Sequence, residues 1–298
     1  MRVPSNNSSQ AIIQQLQRLS TRQAQLQSNI STGQRITNPS DDPAAMSRVL
    51  QLQAEQQQLQ QFTQNGARAT DISAASFSAL DQFKKISDRA GELSTLGVGV
   101  VSADGYQAYQ SELNQLIEQG LQVANTKYNN AALFGGTKTD LPPFTAARDA
   151  SGNITSVTYG GTASAASFRV SEDTELSPYT DGTTNQNFAT FMNNLVALRD
   201  ALKSGSGSAV QATQAGLHTS EDDLLTTISG IGAIQTRLEA TTSNNQARFS
   251  QLQQLISTDT DVDVPSTVVK LTQAQTAYQA ALASSAHMMQ TSLLDYIR

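Results

Sequence analysis

Near the amino terminus, apolar residues return at alternating steps of four and three: Ile12, Leu16, Leu19, Leu26 and Ile30, with Gln23 filling the gap in the series. This is the a/d seam of a heptad helix, whose narrow stripe must be covered by another helix. No partner lies nearby in sequence. The run stops at Ser31-Thr32-Gly33 and passes through Arg35-Ile36-Thr37-Asn38-Pro39 to Ser40-Asp41-Asp42-Pro43-Ala44. Pro43 suits the first position of a new helix, where a backbone N–H would be unpaired anyway, and Asp42 suits the cap before it.

A single round core is a poor fit to this material. Only 38% of the 298 residues are hydrophobic and 5% aromatic, with no Trp, so each helix has one apolar stripe and a polar back of Gln, Ser, Thr and Asn. The net charge of −6 and the absence of a basic run argue against nucleic acid as a partner. With no cysteine there are no disulfides, thiolate metal sites or cysteine nucleophiles. No stretch has the length and hydrophobicity of a membrane span, so membrane insertion is not expected. The Asn-, Ser- and Gln-rich start lacks the basic and apolar blocks of a secretory signal, so any export is expected to proceed without a cleaved one.

The heptad spacing recurs along the chain. Ala45, Val49, Leu52, Gln56 and Leu59 continue after Gly66 as Ile72, Ala79, Phe83, Ile86, Ala90 and Leu93, which predicts one long helix with a weak middle. Gly97-Val98-Gly99 ends it, Ser102-Ala103-Asp104-Gly105 turns the chain, and Tyr106, Tyr109, Leu113, Leu116 and Val123 form an antiparallel return arm. The pattern breaks from Asn129-Asn130 to Pro142-Pro143-Phe144. Beyond it, Asp149-Ala150-Ser151-Gly152-Asn153 reads as a hairpin turn, Ile154 to Tyr159 and Phe168-Arg169-Val170 as strands, and Phe188, Phe191, Leu195, Leu198 and Leu202 as a helix. After the Ser/Gly-rich 204–208, a long seam runs through Leu224, Ile228, Ile231, Gln235, Leu238, Thr242, Asn245, Phe249, Leu252 and Ile256, its polar members fixing register.

The C-terminal segment supplies the missing partner. After Val264-Pro265-Ser266, a helix carries Val268, Leu271, Tyr278, Leu282, Met289, Leu293 and Ile297 on or near one stripe. The expected fold is mainly α: an elongated helical-bundle rod with paired N- and C-terminal coiled-coil helices and a small α+β insert. Its expected parts are 1–42 with 264–298 as a terminal coiled-coil core, 43–142 with 205–263 as a helical rod, and 143–204 as an outward-facing insert. The two terminal stripes can bury each other or the stripes of neighbouring copies, which makes them the expected assembly interface.

Catalytic and metal-binding patterns are weak. Asp41-Asp42 has no His or Lys nearby in sequence and is flanked by prolines, so it reads as a helix cap rather than a catalytic pair. Asp259-x-Asp261-x-Asp263 begins like a calcium loop, but Val264 stands where the sharp-turn Gly belongs and Lys270 where the bidentate Glu belongs. His218 and His287 are the two histidines, and neither has a second imidazole near it in sequence. Gly230-Ile231-Gly232 sits in a helical seam rather than after a strand and lacks a third glycine. No enzyme activity, cofactor or metal is expected.

Ser31-Thr32-Gly33-Gln34-Arg35-Ile36 followed by Asn38-Pro39-Ser40-Asp41-Asp42-Pro43-Ala44 resembles the signature that joins the terminal helix to the core in flagellin-family subunits. Gly232-Ala233-Ile234-Gln235-Thr236-Arg237-Leu238-Glu239 is similar to the family's second signature, in the returning core helix. Phe134-Gly135-Gly136-Thr137-Lys138-Thr139 with Pro143-Phe144, and Ser292-Leu293-Leu294-Asp295-Tyr296-Ile297, resemble the members that sit at the junction of hook and filament rather than those that build the bulk filament. Arg298, a basic ending, departs from this and resembles the filament subunits.

The resemblance implies a structural subunit of the extracellular flagellum, exported through the type III channel. It also implies its partners: copies of itself in a ring or tube, another hook-associated protein on the hook side, flagellin on the filament side, and a cytoplasmic export chaperone at the C-terminal helix. Arg35, Asn38, Pro39, Asp41, Asp42 and Pro43 would form the joint between the inner helices and the rod, setting its angle by capping and restricted φ. A filament flagellin remains the alternative within the family. A surface adhesin or glycan-binding protein, using the insert with its Tyr159, Phe168 and Tyr179, is the alternative of another class.

Overall fold

A computed structural model describes the backbone of residues 5–99 and 101–297, and the side chains of residues 10–99 and 101–287. The heptad runs become six helices among these residues: α1 (Ser5–Thr32), α2 (Pro43–Val98), α3 (Ala103–Ala124), α4 (Gly182–Lys203), α5 (Gly207–Thr260) and α6 (Val264–Ile297). The fold is mainly α, with short strands between α3 and α4. The chain forms two compact units, Met1–Gln58 with Arg248–Arg298, and Leu59–Ala247; α2 and α5 contribute residues to both.

Within Leu59–Ala247 the apolar stripes meet in one core. Phe83, Ile86 and Leu93 of α2 are buried with Leu113 and Ile117 of α3, Phe188, Phe191 and Leu195 of α4, and Leu217 and Leu224 of α5. The Phe83 ring stacks on Phe188 at 5.3 Å between centroids and meets the edge of Phe191 at 6.0 Å. Arrangements of this kind add to simple area burial. α3 is the antiparallel return of α2: Arg89 pairs with Glu112 at 2.5 Å, and the Tyr106 hydroxyl donates to the Gly97 carbonyl at 3.1 Å. The Ser102 hydroxyl caps α3 by accepting from the Gly105 N–H at 3.2 Å, and Asp181 caps α4 through the Thr184 N–H at 2.7 Å.

The hairpin predicted around Asp149–Asn153 is present as β3 (Phe144–Arg148) against β4 (Ile154–Tyr159). Asp149 Oδ1 accepts from the Ser151 and Asn153 N–H groups, both at 2.9 Å, closing the turn. One hairpin escaped the sequence reading, which took Asn129-Asn130 as a boundary loop. β1 (Lys127–Tyr128) and β2 (Ala131–Ala132) pair through this two-residue turn. Its φ values are 48° and 65°, the left-handed pair that a tight primed turn needs and that Asn tolerates. A further pair, β5 (Phe168–Arg169) with β6 (Glu175–Leu176), completes the strands.

Residues 143–204 have no core of their own. Phe144, Ile154 and Val157 of the hairpin and the phenylalanines of α4 are buried with α2, α3 and α5. The change of composition at Pro142-Pro143 therefore marks a change of secondary structure and not a break in packing. The weak middle of α2 also finds its reason. At Gly66 a β-carbon would lie 2.8 Å from Thr242 Oγ1 of α5, so a side chain there would have to displace that hydroxyl. Beside that contact, Val170 and Leu176 pack with Ala69 and Leu238. Asn65 and Asn245 donate to the Arg169 and Val170 carbonyls at 2.9 and 2.8 Å. Asn245, expected to fix helix register, instead holds a strand end onto α5.

Candidate functional site

In the unit Met1–Gln58 with Arg248–Arg298, α1 packs along α6. Ile12, Leu16, Leu19, Gln23, Leu26 and Ile30 are all half-buried, and nearly every other described residue between Gln10 and Thr32 is exposed. The α1 stripe is therefore the face turned inward. On α6 the less exposed positions are Thr267, Leu271, Ala274, Tyr278, Ala281 and Ser285, again at alternating steps of four and three. Small side chains alternate with Leu271 and Tyr278 along this face, the pattern that lets a facing helix approach.

The inward face of α6 differs from the predicted stripe. Leu271 and Tyr278 lie on it, but Val268 and Leu282 do not: they are 44% and 43% exposed, each one position beyond a small seam residue. Val264 and Val269 are exposed as well. α6 thus carries two apolar faces, one against α1 and one left to solvent. Met289, Leu293 and Ile297 fall outside the residues whose side chains are described.

The joint after α1 is built by two segments far apart in sequence. The Arg35 N–H donates to the Thr260 carbonyl at 2.6 Å and the Val262 N–H to the Gly33 carbonyl at 2.9 Å, around an antiparallel bridge of Gln34 with Asp261. Gly33 takes φ +71°, which lets the chain leave α1 and enter this bridge. Arg35 Nη2 donates to the Asp259 carbonyl at 2.8 Å, where the last turn of α5 exposes unpaired carbonyls, and Nη1 lies 3.5 Å from Asp42 Oδ2. Arg48 forms a two-pronged pair with the Asp259 carboxylate at 3.0 and 3.2 Å. Both linkers are thereby tied to the start of α2 and the end of α5.

The two neighbouring aspartates divide the capping. Asp42 Oδ1 accepts from the Ala45 N–H at 3.0 Å and caps α2, which begins at Pro43. Asp41 Oδ2 accepts from the N–H groups of Asn38 and Thr37 at 2.9 and 3.1 Å, closing the turn across Pro39. Donors around charged oxygens lower carboxyl pKa values. Asp41 lies below its ordinary value through the Asn38 N–H, then Thr37. Asp42 is lowered through the Ala45 N–H, with Arg35 adding to it. Asp259 is lowered through its hydrogen bonds from Arg48. Such carboxylates are held ionised as structural acceptors, which suits them to fixing a bend and not to moving protons.

Every sequence-predicted joint residue, Arg35, Asn38, Pro39, Asp41, Asp42 and Pro43, lies in this one loop and the helix start that follows it. Arg48 and Asp259 were missed. They are 211 residues apart, and neither has a local pattern naming the other. Asp259 and Asp263 have roles apart from a calcium loop: Asp259 holds Arg48, and Asp263 accepts from the Ser266 N–H at the start of α6 at 3.4 Å. Among the described residues no group of three or more His, Asp or Glu could hold a metal ion, and no helix is long and apolar enough to cross a membrane. Tyr159, Phe168 and Tyr179, weighed as a glycan platform, pack against the core of Leu59–Ala247.

The comparison with known proteins agrees with this architecture. Residues 3–139 match the bacterial flagellin N-terminal helical region, and residues 217–297 match the bacterial flagellin C-terminal helical region. The flagellar hook-associated protein 3 of Escherichia coli is 28% identical over 288 residues, covering 89% of this chain and 90% of that protein. Its counterpart in Salmonella typhimurium is 28% identical over 289 residues, covering 90% and 91%. In fold, the chain resembles the structure of a putative flagellar hook-associated protein from Vibrio parahaemolyticus. There the TM-score is 0.65 at 17% identity, over 74% of this chain and 99% of that one. With both helical regions matched on either side of an α/β segment, and the terminal helices paired beside a tied joint, the chain belongs to the bacterial flagellin family.

Proposed function

We propose that this chain is a structural, non-catalytic subunit that joins the flagellar hook to the filament. The observation that carries the reading is the double-faced α6. One face is satisfied by α1 within the chain, and the other leaves Val264, Val268, Val269 and Leu282 exposed on a helix already held in place. Apolar residues so placed gain by being covered in an assembly. The choice of junction over bulk filament is supported by relatives named flagellar hook-associated protein 3 that correspond over about nine-tenths of the chain.

In this reading 1–42 and 264–298 form the inner layer of a ring or tube of copies, 43–142 with 205–263 form the rod outside it, and 143–204 faces outward. The terminal helices bury their free faces between copies. A hook-associated protein lies on the hook side and flagellin on the filament side. A cytoplasmic chaperone holds the C-terminal helix before export through the flagellar channel. Deleting the gene tests the role. A junction subunit predicts hooks without filaments and unpolymerised flagellin released to the medium; filaments of normal length and number on the deletion strain would refute it.

A further inference from the structure

The charges of the terminal unit are separated along its length. Among the described residues of α1 and α6 the charged side chains are Arg18, Arg22 and Lys270, with His287 ionisable; there is no carboxylate. Arg18 and Arg22 lie on the outer face of α1, exposed and away from the seam with α6, in a shallow polar surface shared with Gln14, Gln17, Thr21 and Gln25. The joint has the opposite surplus. Arg35 and Arg48 are taken by Asp42 and Asp259, whereas Asp261 and Asp263 are exposed and accept only from neutral donors, Ser257, Thr260 and the Ser266 N–H.

The two arginines of α1 and the two carboxylates of the joint are out of reach of one another within one chain. From Arg22 and Arg18 to the end of α1 at Thr32 is about 15 and 21 Å of helix, beyond an arginine's reach and beyond a screening length of about 8 Å at physiological salt. A second copy shifted along the helix pair by that same distance sets them at the same level. We propose that neighbouring copies pack with such a stagger, the Arg18 and Arg22 face of one against Asp261 and Asp263 at the joint of the next. This rests on the structural-subunit reading and adds the partner and the register. Copies packed level would set arginine beside arginine with no carboxylate among the described residues of α1 and α6 to separate them, and like charges so placed disfavour the contact. The stagger also makes the contact head-to-tail, so it can close into a ring or continue as a helix.

Charge reversal in the full-length chain tests it, read as the amount of subunit incorporated into purified hook-filament structures relative to the amount exported. R18E/R22E alone and D261R/D263R alone are each expected to lower incorporation about tenfold, the scale of two exposed ion pairs turned repulsive. The four changes together should recover most of that loss. If D263R frays the start of α6, which Asp263 caps, R22E with D261R carries the same comparison. Normal incorporation of both reversed chains, or a combined chain no better than the two losses multiplied, overturns the stagger. The gene deletion decides the other question: released flagellin there, with indifferent charge reversals, leaves the junction role standing and removes this contact alone.

Discussion

Leu282→Asp separates the two faces of α6. Leu282 lies outside the seam and is 43% exposed, so in the single chain the new carboxylate stays in water and the pairing of α1 with α6 survives. On assembly, covering the exposed 43% of a leucine worth about 2 to 3 kcal/mol contributes about 1 kcal/mol, which the substitution removes. Taking an unpaired carboxylate out of water costs several kcal/mol, and with about 3 kcal/mol for it the total is about 4 kcal/mol, roughly a thousandfold in affinity. Leu19→Asp is the contrasting change, because Leu19 faces α6 within the chain. Hydrogen exchange on the exported subunits should show α1 and α6 as protected as in the unsubstituted chain for L282D and opened for L19D. Neither should enter hook-filament structures. Incorporation of L282D at the unsubstituted level, or loss of α6 protection in its single chain, would refute the assignment of a second face.

Three other outcomes follow from the geometry. Asp42→Ala removes both the Ala45 cap and the Arg35 contact and should speed exchange in the first turn of α2, while Asp42→Asn keeps the cap and should protect that turn; equal exchange in both would show the cap to be idle. Asp41, Asp42 and Asp259 have folded pKa values below the ordinary 3.8. Their contribution is therefore complete above 3.8 and is lost as the pH falls through the lower folded values, so protection of the Arg35 and Val262 amides should hold at about pH 5 and fail in stronger acid. Phe83→Ala, at a fully buried ring against Phe188, should destabilise Leu59–Ala247 by about 3 to 5 kcal/mol, measured by denaturant unfolding, and a loss under about 1 kcal/mol would contradict the shared core.

Where the physics is local, the sequence was enough. Four-three spacing marked the seams of α1 and α5, because burying a stripe on a 3.6-residue helix requires that repeat. Pro43 after Asp42 marked the start of α2, and Asp149 to Asn153 marked a turn, because a cap or a tight turn is closed by side chains within a few residues of it. Asn129-Asn130 carried a usable signal, two residues tolerant of left-handed backbone in succession, but the strands on either side are two residues long and show no alternation.

The tertiary structure decided what depends on a partner distant in the chain. α6 has apolar residues on two faces, and spacing alone does not say which one α1 covers. The answer is the face with Thr267, Ala274, Ala281 and Ser285, whose small side chains are covered beside α1, and it leaves the larger Val268 and Leu282 outside. Likewise Pro142-Pro143 looked like a domain boundary by composition, yet Phe144 and Ile154 share a core with Phe83, because packing follows proximity in space. The clamp of Arg48 on Asp259 joins residues 211 positions apart, and only the fold brings them within 3.0 Å. The heptad sequence thus determined that the terminal helices need a cover, and the folded chain determined which face it provides itself.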